Sequence, residues 1–291
     1  KKFGFIHKRV YRLKLPLQHS LERDSNILWS DDEELKKPCL ETLETNVVDY
    51  CNMNCKGCSH FSNLFPKGSG IPFEVFERDI KQLSKKIFVS QFNLLGGEVF
   101  LSDRLMDYIA CLKKHMPKTK IELVSNGVLI PRQEKKIFEC IRENEVIISI
   151  TEYPPTSVVL AKIIDTLNQN HIMYYIRPLV ETFGKNIDLS GINDPIKAMV
   201  SCRESTCQFL RDGKIYKCPF SALGNYYFSF FNIPQRSNEG YDIFDENRDW
   251  MFLAENIRKE PIALCQYCGR EEQFAWEISN DPDKNEWLIS N

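Results

Sequence analysis

The sequence lacks any long apolar run. Lysine and arginine interrupt the N-terminal segment KKFGFIHKRVYRLKLPLQ throughout, so this segment has no apolar region of the kind that a secretion signal needs. No other segment approaches the roughly 20 apolar residues of a membrane helix. We therefore predict a cytoplasmic protein that does not cross a membrane.

An excess of either charge is also missing. The 291 residues include 38 basic and 40 acidic ones, which leaves a net charge of −2. Such a balance gives no overall field that would attract nucleic acid or anionic lipid. With 43% apolar and 27% charged residues, the composition is that of an ordinary globular protein. We predict neither a nucleic-acid partner nor a membrane partner.

Cysteine, in contrast, is abundant. An odd number of cysteines, 11, without a secretion signal indicates metal ligation in a reducing compartment more than a disulfide framework. Cys39, Cys111 and Cys140 each lack a nearby cysteine or histidine at ligand spacing. We expect these three to be small buried apolar residues. The others form two sets.

Strand-like and helix-like segments alternate between residues 45 and 178. LETNVVDY, QFNLLGGEV, KIELVSNG, EVIISITEY and HIMYYIRP have the character of strands, and amphipathic segments separate them. Repeated β/α units of this length predict an α/β fold with a parallel sheet, either a barrel or an open doubly wound sheet. In both architectures the chemistry gathers at the carboxyl ends of the strands.

Three polar motifs fall at these predicted strand ends. The motif CNMNCKGC, with Cys51, Cys55 and Cys58, follows the first strand. The second strand ends in Gly96-Gly97-Glu98 and the third in Ser125-Asn126-Gly127. We therefore expect all three motifs on one edge of the sheet.

The first cysteine set is one ligand short of a closed metal site. Structural zinc takes four ligands, and His60 is the available fourth. A 4Fe-4S cluster held by only three thiolates leaves one iron open for a substrate or cofactor. We favour the cluster, because zinc explains neither the glycine pair nor the shared edge.

Together these motifs resemble those of the radical S-adenosylmethionine (SAM) superfamily. Cys51, Cys55 and Cys58 match its CxxxCxxC motif, Gly96-Gly97-Glu98 its GGE motif, and SNG at 125–127 its ribose-contacting segment. The resemblance covers about residues 45–180. It implies a partial (β/α)6 barrel, a 4Fe-4S cluster whose open iron binds SAM, and reductive cleavage of SAM to methionine and a 5′-deoxyadenosyl radical that removes a hydrogen atom from the substrate.

The resemblance also implies roles for individual residues. Gly96 and Gly97 let the backbone approach the methionine part of SAM, and Glu98 offers a carboxylate to its ammonium group. Ser125 and Asn126 are expected to bind the ribose hydroxyls.

The resemblance assigns less to the last two strands and departs from the family at one position. Ser149, Thr151 and Arg177 are expected to reach the methionine carboxylate or the substrate, with a purely structural role as the alternative. Many family members have an aromatic residue before the third cysteine, whereas this chain has Gly57. His60 or Phe61 is the expected substitute as the adenine contact.

The second cysteine set resembles the twitch domain, a shorter form of the SPASM domain, which carries an auxiliary 4Fe-4S cluster. Its members are Cys202, Cys207, Cys218, Cys265 and Cys268. A hairpin turning at Asp212-Gly213 brings Cys207 towards Cys218, beside the CxxC pair, and zinc is the alternative occupant of these four thiols. Cys202 is then the spare thiol and the candidate hydrogen donor of an epimerase. The alternative makes Cys202 the fourth ligand and leaves Cys207 merely buried.

These motifs suggest three segments: an N-terminal extension at 1–44, a radical SAM barrel at 45–190 and a twitch-type α+β domain at 191–291. We predict an enzyme that epimerises or oxidises a carbohydrate-like or other polar small molecule, with a flavodoxin or ferredoxin-type reductant. The N-terminal extension is short for a domain that binds a leader peptide. The alternatives are a maturase that modifies a ribosomal peptide and an iron-sulfur redox sensor.

Overall fold

A computed structural model describes residues 36–236 and 239–290. Of these, residues 38–236 and 239–290 belong to one compact unit. Most of the predicted N-terminal extension, residues 1–35, lies outside the described residues.

An eight-stranded, mostly parallel sheet dominates this unit, in the order β5-β4-β3-β2-β1-β7-β8-β9. The strands of the sheet are β1 (Cys39–Val48), β2 (Phe88–Gly96), β3 (Lys120–Ser125), β4 (Ile147–Thr151), β5 (Tyr174–Arg177), β7 (Phe209–Arg211), β8 (Lys214–Tyr216) and β9 (Gly240–Asp242). Strands β1 to β5 are all parallel to their neighbours, whereas β8 and β9 are antiparallel additions. The predicted α/β fold with a mostly parallel sheet is confirmed.

Helices connect the parallel strands, as the alternation of the sequence predicts. The four connecting helices are α1 (Phe73–Lys86), α2 (Leu105–His115), α3 (Lys135–Glu143) and α4 (Pro154–Gln169). Buried residues of α1 and α2, such as Ile80 and Ile109, form one core with strand residues such as Leu94 and Leu123. Since side chains alternate along a strand, the residues between these apolar ones project from the opposite, concave face of the sheet.

The predicted sixth β/α unit differs from the structure. The strand after β5 is β6 (Thr182–Ile187), and it pairs antiparallel with β10 (Cys268–Ala275) in a separate two-stranded sheet. Three further helices lie in the C-terminal part: α5 (Pro195–Ser201), α6 (Pro219–Phe230) and α7 (Trp250–Asn256). Aromatic residues of α6, above all Tyr227 and Phe228, build a second core there.

The predicted hairpin is formed by β7 and β8. Asp212 and Gly213 have φ angles of 48° and 77°, the left-handed pair that a tight hairpin turn requires. The Gly213 amide donates to the buried carboxylate of Asp79 in α1, over 2.7 Å. Two guanidinium nitrogens of Arg211 donate to Asp49 over 3.0 and 2.9 Å. These bonds fix the hairpin to the parallel part of the sheet.

The cysteines without ligand spacing differ in burial. Cys111 is buried in the first core and Cys140 packs against that core. Cys39 is half-buried at the first position of β1. That strand begins earlier than the sequence pattern indicated.

The membrane expectation can be compared with the helices. None of the helices in the described residues has the length and apolar character that a membrane crossing requires.

Candidate functional site

The first cysteine set lies in the loop that follows β1. Burial raises the pKa of Cys51 above its ordinary range, and Glu98 and the thiols of Cys58 and Cys55 raise it further. Burial likewise raises the pKa of Cys55 to about 12, again with Cys58 nearby. The three thiols are therefore neighbours at the carboxyl edge of the sheet, where Cys51 and Cys55 are poorly solvated. The structure brings the cysteine motif and Glu98 together there.

Nitrogen donors point at two of these sulfur atoms. The amide of Met53 lies 3.4 Å from Cys51 Sγ, and Asn126 Nδ2 lies 3.8 Å from the same atom. Trp276 Nε1 donates to Cys55 Sγ over 3.3 Å. Thiolates of iron-sulfur clusters accept such bonds, which help to set the reduction potential. The donor set therefore fits a cluster held by the three cysteines.

A single metal ion needs closer ligands. Among residues 36–236 and 239–290, no three histidine, cysteine, aspartate or glutamate side chains converge closely enough to bind one ion. A 4Fe-4S cluster differs, because each thiolate binds a separate iron atom. His60, the proposed fourth zinc ligand, directs Nδ1 at Asn46 Oδ1 over 3.0 Å, and its ring packs on Phe209.

The glycine pair brings β2 against the cysteine loop. A Cβ on Gly97 would lie 1.9 Å from the carbonyl oxygen of Tyr50 and 2.6 Å from the amide nitrogen of Cys51. A Cβ on Gly96 would lie 1.9 Å from the carbonyl oxygen of Val48. Both positions therefore require glycine for the close approach of two backbones, a reason that the sequence does not reveal.

Glu98 links the second motif to the third. Its buried carboxylate accepts hydrogen bonds from Ser125 Oγ at 2.7 Å, the Asn126 amide at 2.9 Å and the Phe100 amide at 3.1 Å. Burial raises the pKa of Glu98 to about 6, and these three bonds lower it in part. The Ser125 hydroxyl is thus already used within the protein. Asn126 also donates to Asn52 over 2.8 Å, a contact that the sequence does not indicate.

Position 57 has no room for an aromatic side chain. Gly57 has a left-handed φ of 63°, and an added Cβ would lie 2.7 Å from the Phe274 ring and 2.9 Å from the Glu286 carbonyl oxygen. Phe61 does not replace the missing ring in the loop, because it is buried in the second core against Tyr227. His60 is occupied by Asn46. Neither predicted substitute is therefore free in this arrangement.

The residues of the last two parallel strands form a separate group. Arg177 donates through Nε to Ser149 Oγ over 2.8 Å and forms an ion pair with Glu122 at 3.4 Å. Tyr175 also donates to Glu122, over 2.8 Å. Ser149 is fully buried, whereas the Arg177 side chain is 44% exposed. Thr151 is half-buried at the end of β4.

The second cysteine set gathers around Cys268. Burial raises the pKa of this thiol well above its ordinary value. Three neighbouring thiols add to the shift: Cys218, Cys202 and Cys265. The buried ammonium of Lys217 lies near the same three thiols and donates to the Ile257 carbonyl oxygen over 2.6 Å.

Cys207 has a different surrounding. Burial is the largest cause of its raised pKa. The carboxylates of Glu44 and Glu204 follow, and the thiols of Cys218 and Cys202 raise the pKa less. Glu44 pairs in register with Phe209, two residues after Cys207. Cys207 itself follows a turn and precedes β7, and it lies beside the Glu44 carboxylate of the concave face.

A cavity of about 180 Å³ lies between the two cysteine sets. Gly57 and Ser59, on either side of Cys58, line one wall, and Cys202 and Glu204 line another. Lys185, Asn186 and Glu271 add further polar groups, and the remaining wall is apolar, formed by Phe61, Phe183, Ile187, Phe220 and Trp287. The cavity adjoins the first set and presents polar groups on an otherwise apolar wall.

Comparisons with known proteins match the part of the chain that contains the parallel strands β1 to β5. Residues 45–179 match the model of the radical SAM superfamily. A GTP 3′,8-cyclase from Rhodopirellula baltica is 26% identical over 92 residues, which are 31% of this chain and 26% of that protein. The chain thus spans about a quarter of the length of this curated relative.

Three solved structures are similar to this chain at low identity. AnSMEcpe with bound AdoMet and a peptide is 17% identical, with 48% of this chain and 42% of that chain covered and a TM-score of 0.38. BtrN in complex with AdoMet and 2-DOIA is 16% identical, with 80% and 94% covered and a TM-score of 0.47. Streptococcus suis SuiB bound to S-adenosylmethionine is 12% identical, with 85% and 71% covered and a TM-score of 0.38.

Proposed function

We propose that this chain, whose residues 45–179 match the radical SAM superfamily, is an enzyme that cleaves SAM reductively and removes a hydrogen atom from a polar small molecule. The observation that carries the proposal is the meeting of three thiols with Glu98 at the carboxyl edge of the sheet. A 4Fe-4S cluster bound there would supply the electron that cleaves SAM.

Different residues of this chain would bind the cluster and the parts of SAM. Cys51, Cys55 and Cys58 would hold the cluster, and Glu98 would bind the methionine ammonium of SAM. Its present hydrogen bonds keep the Glu98 carboxylate aimed at the edge shared by the three motifs. Asn126, which lies between Glu98 and Cys51, would contact the ribose.

The concave face favours a polar substrate. Glu44, Asn93 and Glu122 stand side by side in register on β1, β2 and β3. Arg177 forms an ion pair with Glu122, and Tyr175 donates a hydrogen bond to it. Glu44 is hydrogen-bonded to Asn93 and senses Arg177 only at a distance, no ion pair to it forms within the described residues, and burial raises its pKa to about 8. A buried carboxylate without a cation is costly, so a substrate with hydroxyl groups and an amine would suit this row.

The reaction class follows from the assignment of the five C-terminal thiols. We assign the auxiliary cluster to Cys202, Cys218, Cys265 and Cys268, because the first three all lie near Cys268 and Cys202 also lies near Cys265 and Cys218. The thiols of Cys218 and Cys202 act on Cys207 as well, but less than the carboxylates of Glu44 and Glu204 do. Cys207, beside Glu44, is then the thiol that faces the substrate and the candidate hydrogen donor of an epimerisation. The thiyl radical left on Cys207 would return to the thiol by taking up a proton and one electron from the external reductant. Oxidation through the auxiliary cluster is the other reaction proposed. The reductant would be a flavodoxin or ferredoxin-type protein of the cytoplasm.

The proposal is tested by SAM cleavage. The protein is reconstituted anaerobically with iron and sulfide and incubated with SAM and dithionite, and 5′-deoxyadenosine is measured by liquid chromatography and mass spectrometry. We expect 5′-deoxyadenosine only when dithionite is present. If none forms under any condition, the enzyme proposal fails and an iron-sulfur sensor explains the two cysteine sets better.

Glu98→Gln is expected to weaken SAM binding by about one to two orders of magnitude. The substitution keeps the shape of the side chain but removes a charge-assisted bond worth roughly 1.5–3 kcal/mol, and each 1.4 kcal/mol is a tenfold change. The dissociation constant of SAM, measured by equilibrium dialysis on the reconstituted protein, checks this.

Asp79→Asn is the matched control for Glu98→Gln. It exchanges another buried carboxylate for an amide, at the hairpin contact with Gly213 and away from the cysteine loop. We expect unchanged SAM affinity in this variant. Equal affinity in Glu98→Gln and the parent would leave Glu98 with the structural task of holding Ser125 and Asn126.

A further inference from the structure

The C-terminal chain segment lies directly against the first cysteine loop. The Lys56 amide donates to the Glu277 carbonyl oxygen over 2.9 Å, and the Ser279 amide donates to the Asn54 carbonyl oxygen over 2.7 Å. Cys55 and Ile278 form an antiparallel bridge between these bonds. Residues 276–279 therefore act as a short strand that pairs with the loop on both sides of Cys55.

This pairing places one indole on a sulfur atom. Trp276 Nε1 donates to Cys55 Sγ over 3.3 Å, and Cys55 is buried. The Trp276 ring stacks on Tyr153, with ring centroids 5.9 Å apart and an angle of 29°. Its own amide donates to the Glu181 carbonyl oxygen over 2.9 Å. Backbone and ring are thus held independently of the bond to sulfur.

A second indole from the same segment bonds to the same loop without touching sulfur. Trp287 Nε1 donates to the Cys58 carbonyl oxygen over 2.8 Å. Its ring is buried in the second core, where it contacts Phe61 and Tyr227. Within the described residues, two tryptophan indoles thus bond to one loop, and of these two only Trp276 bonds to a cysteine sulfur atom.

We propose that Trp276 is a positioning residue that raises the reduction potential of the cluster held by Cys51, Cys55 and Cys58. This inference rests on the proposed function, because it takes the three thiols as cluster ligands. One-electron reduction adds a negative charge to the cluster and its thiolates, and a bond from an N–H group is stronger to the more negative acceptor. The indole of Trp276 therefore favours the reduced state. Hydrogen bonds to the sulfur atoms are among the factors that set such potentials.

The bond also links the reduction potential of the first cluster to a residue far away in the sequence. Trp276 lies 221 residues after Cys55, and it directly follows β10, which pairs with β6. Any displacement of the C-terminal segment would break the bond to sulfur and lower the potential. The position of the C-terminal segment would then help to set the reduction potential of the first cluster.

Trp276→Phe tests the proposal. Phenylalanine keeps a ring for the stack on Tyr153 and leaves the backbone pairing intact, but it removes the N–H donor. We expect the equilibrium constant for one-electron reduction of the first cluster to fall about tenfold, which is a shift of about 59 mV to lower potential. The potential is measured by an anaerobic redox titration followed by electron paramagnetic resonance, with SAM omitted. The auxiliary signal is removed by working with Cys265→Ala and Cys268→Ala in every protein compared.

Trp287→Phe, in the same background, is the matched control, because it also removes one indole N–H donor from the loop. Its potential is expected to stay that of the parent, and iron content is measured in all three proteins. An unchanged potential in Trp276→Phe overturns the inference, and so does an equal shift in both variants, which would indicate a loosened loop. If the protein with all of its cysteines never forms 5′-deoxyadenosine, the proposed function fails instead.

Discussion

Replacing Cys51, Cys55 and Cys58 together with alanine is expected to abolish SAM cleavage while iron remains in the C-terminal cysteine set. The parent with two 4Fe-4S clusters should hold about eight iron atoms per chain, and the variant about four. The thiols of each set have the other thiols of the same set as neighbours. Replacing the first set therefore leaves all the thiols that would hold the auxiliary cluster in place. Iron content and the yield of 5′-deoxyadenosine are the two measurements.

The variant should still fold, because backbone bonds hold the cysteine loop without a metal. The Lys56 amide is bonded to Glu277 and the Ser279 amide to Asn54. The matched control replaces Cys39, Cys111 and Cys140, which is the same number of thiols outside either set. This control should keep its full iron content and its cleavage activity. Retained cleavage in the first variant, or loss of all its iron, would contradict the assignment of the loop as the SAM-binding cluster site.

Cys202→Ala is expected to lose about half of the iron, whereas Cys207→Ala keeps all of it. A closed 4Fe-4S site needs four thiolates, and the three partners of Cys268 in the structure include Cys202. Cys207 has carboxylates as its strongest electrostatic neighbours. Both variants replace one cysteine by alanine, at positions only five residues apart in the chain. Each variant is therefore the control for the other.

The reaction products show whether Cys207 is the hydrogen donor to the substrate. With the substrate present, Cys207→Ala should still cleave SAM but should not give the epimerised product, because the radical left on the substrate has no thiol to supply hydrogen. Normal product from this variant would favour oxidation of the substrate through the auxiliary cluster. The opposite iron pattern, with loss in Cys207→Ala alone, would restore Cys202 as the spare thiol beside the cavity.

Much of the fold was predictable from local patterns. Alternation of apolar and amphipathic segments predicted the parallel strands and their helices, because the pleat of a strand and the turn of a helix repeat at different periods. The Asp212-Gly213 pair predicted the hairpin, since both residues tolerate left-handed backbone. The sixth barrel unit was wrong: β6 has a strand-like sequence, but its partner is β10, 81 residues after the end of β6.

The polar row of the concave face gave a weak signal in the sequence. Glu44, Asn93 and Glu122 each interrupt an apolar strand segment, which identifies them as residues of the opposite face. Their meeting in one row depends on the register between three strands. Register is set by packing and by hydrogen bonds across the sheet, and a single strand does not contain it.

By itself, the sequence determined the chemistry that each segment carries: three thiols after a strand, a glycine pair with a glutamate, and five more thiols near the end. These are matters of residue type and short spacing, which a chain keeps in any conformation. Only the tertiary structure decided which thiols are neighbours, why Gly57 excludes an aromatic ring, and which indole reaches Cys55. The reason is physical: these contacts join segments up to 229 residues apart, and packing of the whole domain selects them over the many other pairings that the local patterns allow.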